Sequence, residues 1–307
     1  KWKKFGGSLL LRIGMRLSEV APDLAKQTVA DAVTIGVMSQ PEDICLLRHD
    51  GSGKNAFKNP LSFRYLDDNF IESDAVKIGK TFMDYLKKTK DPRIHVYCSL
   101  KDGNTEFDKQ FGLPNGYDSH TIADAPSGSF VGLENTSNFN INTILRLDAP
   151  TIFLMPSETK LLLAEAVLRN WTNGNAEVLY KEAITSSMKE QEIAYGTQGK
   201  ITDEEIETYL AQNLLSTANN TEKLQIIGEQ YWVATFINGY ESYANWRRTG
   251  YPKLIPTNYS GSMSPGVIPT RLPYPTDEYS INRANVDTAN QQQGADKVTT
   301  HIWWDID

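Results

Sequence analysis

Apolar residues recur at three- and four-residue steps over two long stretches of this chain, and that period commits it to helices packed on helices. In the first stretch Trp2, Phe5, Leu9, Ile13, Leu17 and Val20 fall on one line, and Lys4, Ser8, Arg12, Arg16 and Glu19 on another. Pro22 then stands where a first helical residue belongs, followed by Asp23 for the positive end of the helix. Ala25, Val29, Ala32 and Val33 make a face of small residues, and Gly36 supplies a stop. The stretch reads as an αα-hairpin.

A second hairpin follows after a long interval. Leu161, Ala164, Val167, Leu168 and Trp171 line one helix, Thr172–Asn175 turns, and Leu179, Ala183, Ile184 and Met188 line the partner. Asp203–Leu215 reads as a shorter helix capped by Thr202. Thr221 opens a long one, with Leu224, Ile227, Tyr231 and Ala234 on one face and Ile226, Val233, Ile237 and Tyr240 on another. A helix apolar on two sides belongs at the centre of a helical bundle. The hairpins resemble tetratricopeptide units, without a fixed repeat period.

The connections are long. Pro41, Gly51, Gly53 and Pro60 break up residues 37–72, leaving a short strand near Ile44–Leu47. Ser73 is placed to cap a helix carrying Val76, Phe82, Met83 and Leu86, and Arg93–Ser99 alternates as a strand does. A loop-rich insertion covers about 93–150, dense in Gly, Asn, Asp, Ser and Pro from 101 onward. Loops of that size are functional or disordered. A proline-rich tail over about 247–307 ends in Trp303-Trp304 and is expected to wrap the helical body. The fold class expected is mainly α: helical hairpins, irregular insertions and a wrapping tail, in a single domain over 1–307.

Catalytic patterns are lacking. His49, His95, His120 and His301 stand isolated, and no GxSxG occurs. Asp67-Asp68 and Glu204-Glu205 are adjacent acids that point apart, whereas a glycosidase needs two facing each other across a cleft. Asp50–Lys54 lacks both the first Gly of a phosphate loop and a Ser or Thr after the Lys, so it reads as a turn. Cys45 and Cys98 match no metal spacing and read as ordinary buried thiols, with their pairing left open. No enzymatic activity, cofactor or metal is expected. The balance of 31 basic against 38 acidic side chains argues against nucleic acid as a partner. Lys4, Arg12 and Arg16 read as a solvated or ion-paired face, and Arg247-Arg248 as anchors holding the tail through carbonyl oxygens.

The aromatic residues of the insertion suggest a ligand. Sugars offer apolar C–H faces rimmed by hydroxyls, which flat rings and planar amides or carboxylates complement. Tyr97, Phe111, Asn115, Tyr117, Asp118 and His120 form the candidate set, joined by Phe63 and Tyr65. Such rings also serve simply to pin a loop to its scaffold. A rival reading puts a peptide on the concave helix faces, with Trp171 and Tyr180 as contacts.

Several segments, in order, resemble the SusD/RagB family of outer-membrane nutrient-binding lipoproteins, most of all its SusD-like 2 branch. They are Trp2–Phe5 through Ser8–Arg12 to Met15–Ser18, then Asp91-Pro92-Arg93, then Leu161–Ala166. Trp246–Pro252, Pro269–Pro275 and Trp303–Asp305 complete the set. The resemblance implies a tetratricopeptide-like helical fold and glycan binding, or peptide binding in RagB-like members, without catalysis. It also implies a SusC-like TonB-dependent transporter as partner, and a cell-surface location on the outer membrane through an N-terminal lipid. Neither the lipidated cysteine nor the family's N-terminal helices are present, so the sequence is expected to be the C-terminal two-thirds of such a protein. The shared motifs are scaffold, and no binding residue transfers through them.

Overall fold

The computed structural model describes residues 1–67, 77–118, 120–215, 219–259 and 261–305. Helices α1 (Trp2–Arg16) and α2 (Pro22–Ile35) form the first hairpin, but α1 turns a different face inward than its apolar line suggests. Gly7, Ser8, Leu11, Gly14 and Met15 are buried, whereas Trp2 is 82% and Ile13 54% exposed. Close approach explains the choice. A Cβ on Gly7 would stand 2.3 Å from the Gly36 carbonyl oxygen, and one on Gly14 would meet Thr28 at 2.8 Å. Val33 on α2 likewise points outward.

Strand β1 (Cys45–Leu47) appears where the sequence places it, and Asn59 starts α3 (Pro60–Asp67) by accepting the amides of Leu61 and Ser62. Helix α4 (Lys80–Thr89) begins after Gly79; Ser73 and Val76 lie outside the described residues. Arg93–Ser99 is not a continuous strand. It forms a helical turn α5 (Ile94–Tyr97) and then β2 (Cys98–Ser99), because the buried Asp91 carboxylate takes both the Arg93 amide and its guanidinium. Arg93 also donates to Ser187 at 2.9 Å and to Gln230 at 2.8 Å. Short strands β3 (Asn138–Phe139) and β4 (Thr151–Leu154) pair antiparallel with β2 and β1. Cys45 and Cys98 therefore sit in separate ribbons as free thiols, Cys98 buried and Cys45 partly exposed.

The second hairpin, α6 (Pro156–Leu168) and α7 (Ala176–Tyr195), is the centre of the molecule, and α6 is buried nearly all round. Asn175 caps α7 through the Val178 amide. Thr202 and Glu205 form a reciprocal cap on α8 (Asp203–Gln212), as the sequence indicates.

The long helix expected from Thr221 is two helices, α9 (Asn220–Ala234) and α10 (Gly239–Thr249). Thr235 turns its hydroxyl back to the Tyr231 carbonyl at 2.7 Å, its own carbonyl takes the Ser242 hydroxyl at 2.9 Å, and Asn238 caps a new helix. Tyr240, expected on an inner face, is 93% exposed.

The tail wraps as anticipated and adds helices α11 (Thr276–Ile281) and α12 (Arg283–Gln293). Arg247 donates to the Thr270 carbonyl at 2.9 Å and Tyr243 to that of Pro269 at 2.6 Å, which holds the tail on α10.

Candidate ligand-binding site

The largest convergence of uncommitted polar groups on an aromatic wall lies where α4, α9, the insertion and the tail meet. Main-chain bonds fix the first wall: Lys80 donates to the Leu113 carbonyl and Leu113 to that of Ile78, both at 2.7 Å. This short parallel contact lays Asn115 and Gly116 along the start of α4. Gly112 permits it, since a Cβ there would fall 2.4 Å from the Lys80 Cα. Gly116 has φ +88° and meets Thr257 of the tail, where any side chain would collide.

The floor is aromatic. Trp232 of α9 stands edge-on to Phe82 of α4 at 4.9 Å and to Tyr85 at 5.9 Å, while Phe236 stacks on Phe82 at 4.3 Å. Such packing fixes the indole in place. Residues 254–257 and 262–269 of the tail supply the opposite wall, enclosing about 600 Å³. Among the described residues, neither the Trp232 indole nitrogen nor the Asn115 amide makes a hydrogen bond to the protein. Ring, amide and the hydroxyls of Thr81 and Thr257 thus share one cleft.

Its rim is tied down by Asp118. The carboxylate accepts the Tyr259 hydroxyl at 2.5 Å and the amides of His120 and Thr121. These bonds, the Tyr259 one foremost, hold the Asp118 carboxyl well below the usual carboxylate range.

Of the residues singled out from sequence, Asn115 lines the cleft and Asp118 secures its rim. Tyr97 is a core residue, 2% exposed, packed against Phe82 and Phe236 with its hydroxyl on the Val233 carbonyl, and no ligand reaches it. Phe111 lies beneath the Lys87 ammonium at 4.1 Å, Tyr117 is half-buried, and His120 is exposed; none of the three lines the cleft. Phe63 and Tyr65 sit on α3, Tyr65 edge-on to Phe139 at 5.7 Å, also away from it. Tyr180, the rival peptide contact, is buried, and Trp171 is half-buried with the Arg169 guanidinium over its ring. Trp232 and Phe82 are the contacts that the sequence reading missed. Trp232 falls on neither apolar line of its helix, and an aromatic off the packing faces was the available signal.

The buried acids are committed to structure. Arg12 donates to Glu158 at 2.5 and 2.7 Å, Arg16 to Glu241 at 2.6 Å, and the Tyr231 hydroxyl lies within 2.9 Å of both acids. The phenol has one proton to give. Burial, together with Glu241, pushes the Glu158 carboxyl upward against the pull of Arg12. Glu190 accepts the amide and hydroxyl of Ser157, and burial raises it to about 7. No group of three or more His, Cys, Asp or Glu suited to a metal occurs among the described residues.

The model for SusD-like proteins, described as SusD and RagB outer membrane lipoproteins, matches residues 1–305. This chain belongs to the SusD-like family. Solved SusD-like structures superpose over its full length. One is a chitin-binding protein with 30% identity and a TM-score of 0.82, of which this chain covers 65%. Another is a chitin-binding SusD homologue from Flavobacterium johnsoniae, with 25% identity and a TM-score of 0.78, covered over 64%. A Bacteroidetes SusD-like protein gives 25% identity and 0.82, covered over 70%. The SusD-like chain described here thus spans about two thirds of the length of these relatives. No curated protein matches it. No helix among its described residues is long and apolar enough to cross a membrane. The motifs that carry the family resemblance are scaffold: Asp91 and Arg93 join α5 to α7 and α9, and Arg248 joins α10 to α6.

Proposed function

We propose that this SusD-like chain captures oligosaccharides and passes them, uncleaved, to a SusC-like TonB-dependent transporter in the outer membrane. The cleft carries the reading: a fixed indole and an uncommitted amide face each other across a volume of about 600 Å³. A ring face removes sugar C–H surface from water while amide and hydroxyl groups fix the hydroxyls. The two chitin-binding relatives support saccharide as the ligand class. A lipid attached upstream holds the protein at the cell surface, in keeping with the family description. Stacking worth about 0.5–1.5 kcal/mol per ring gives modest affinity, which suits delivery.

Calorimetric titration with tetrasaccharides of several linkages tests this. Trp232→Ala is expected to weaken binding by about tenfold and Asn115→Ala by a similar factor. Peptide binding with every saccharide silent overturns the proposal.

A further inference from the structure

A smaller cavity of about 280 Å³ lies on the tail beside the cleft, and Leu254, Pro256, Val267 and Ile268 line both. Its polar equipment is unusual. Arg247 is clasped between the rings of Tyr243 at 4.2 Å and Trp304 at 4.6 Å, and its Nη1 is spent on Thr270. Its Nε is buried without a partner. Asp305, 3% exposed, has Oδ1 at 3.0 Å from His301 Nδ1, while Oδ2 is buried without a partner. Both residues line the cavity, and they form no ion pair with each other. Buried polar atoms left unpaired are costly, so an orphan donor and an orphan acceptor around one cavity call for an occupant.

We propose that this cavity is a second subsite that takes an N-acetylated sugar ring. A secondary amide carries the required donor and acceptor together. Its N–H donates to Asp305 Oδ2, its carbonyl accepts from Arg247 Nε, and its methyl meets Leu254, Val267 and Ile268. A plain hydroxyl satisfies the polar atoms and leaves the apolar wall uncovered. The inference rests on the saccharide reading of the neighbouring cleft. A peptide offers the same amide chemistry, so the test carries a peptide arm.

The test is calorimetric titration of the full chain with chitotetraose, cellotetraose and acetyl-tetraglycine amide, repeated for Asp305→Ala, Arg247→Lys and Trp232→Ala. Chitotetraose is expected to bind the parent at least tenfold more tightly than cellotetraose, and the peptide not at all. Asp305→Ala and Arg247→Lys should each cut that ratio about tenfold, whereas Trp232→Ala weakens both sugars and keeps it. A general loss of structure would move both sugars together, and the melting temperature of each variant identifies it. A ratio near one in the parent, or one untouched in both variants (a buried-water site only), overturns the subsite and leaves the cleft standing. If neither tetrasaccharide binds the parent, or only the peptide does, both proposals fall.

Discussion

Arg248 grips Glu165 with both arms, Nη1 to Oε1 at 2.6 Å and Nη2 to Oε2 at 2.7 Å, with both side chains almost wholly out of water. The Ser18 hydroxyl and the Asn245 side chain complete the arginine's bonds, so α10 is locked to α6 and to the end of the first hairpin. The arginine's charge holds the Glu165 carboxyl below its ordinary range although burial works the other way. Removing one partner strands the other's charge. Arg248→Met is expected to cost about 3–5 kcal/mol in chemical denaturation, and adding Glu165→Leu should return part of that loss.

Glu190 behaves oppositely. Its folded carboxyl titrates at about 7 against 4.5 as the ordinary value, so the folded state keeps a proton that the unfolded chain releases. Stability from this group is full below pH 4.5 and declines as pH climbs to about 7. The difference amounts to roughly 3 kcal/mol. Glu190→Gln keeps the contact with Ser157 and removes the titration. Denaturation midpoints should therefore rise at pH 8 and lose most of their slope between pH 4.5 and 7.

Two adjacent glycines of α1 should respond in opposite directions to alanine. Gly6 has nothing within 4 Å of its would-be Cβ, and Gly6→Ala should add about 0.5–1 kcal/mol through helix propensity. Gly7 abuts the Gly36 carbonyl, and Gly7→Ala should cost about 1–3 kcal/mol by forcing the hairpin apart. Thermal melts of the pair separate backbone entropy from close packing.

The Asp118–Tyr259 bond ties the insertion to the tail at the cleft's rim. Tyr259→Phe is expected to leave the melting temperature unchanged while amide exchange over residues 254–259 quickens several-fold. Because the folded Asp118 carboxyl is depressed, its contribution is present above its unfolded value and is lost only as pH falls through the lower, folded one. Exchange in the parent should accordingly stay constant from pH 7 down to 4.

Helical period, caps and turn residues made both hairpins and α8 readable from the sequence. Tertiary demands hid the rest. In α1 the packing face is chosen by clearance, so glycine and serine go inward while Trp2 and Ile13 stay out. The Thr235–Asn238 break depends on side chains bonding to backbone, which apolar spacing does not register. At Arg93 the burial of an ion pair overrode an alternating pattern. In α3 the Asn59-Pro60 start signal was present and went unread beneath the loop composition around it. Asn115 was found because loop amides suit sugar hydroxyls. Tyr97 was misassigned because nothing local distinguishes a pinning ring from a stacking one, and Trp232 was missed because it belongs to a core helix.

The cleft's walls come from positions as distant as 79, 115, 232 and 269, which no partial fold brings together. Any molecule held there binds the native state and not the open chain, so its affinity enters the folding equilibrium directly and grows with the logarithm of its concentration. For a protein stationed outside the cell, cargo then doubles as a stabiliser: the scaffold is at its most robust while it is loaded and relaxes once the load has been handed on.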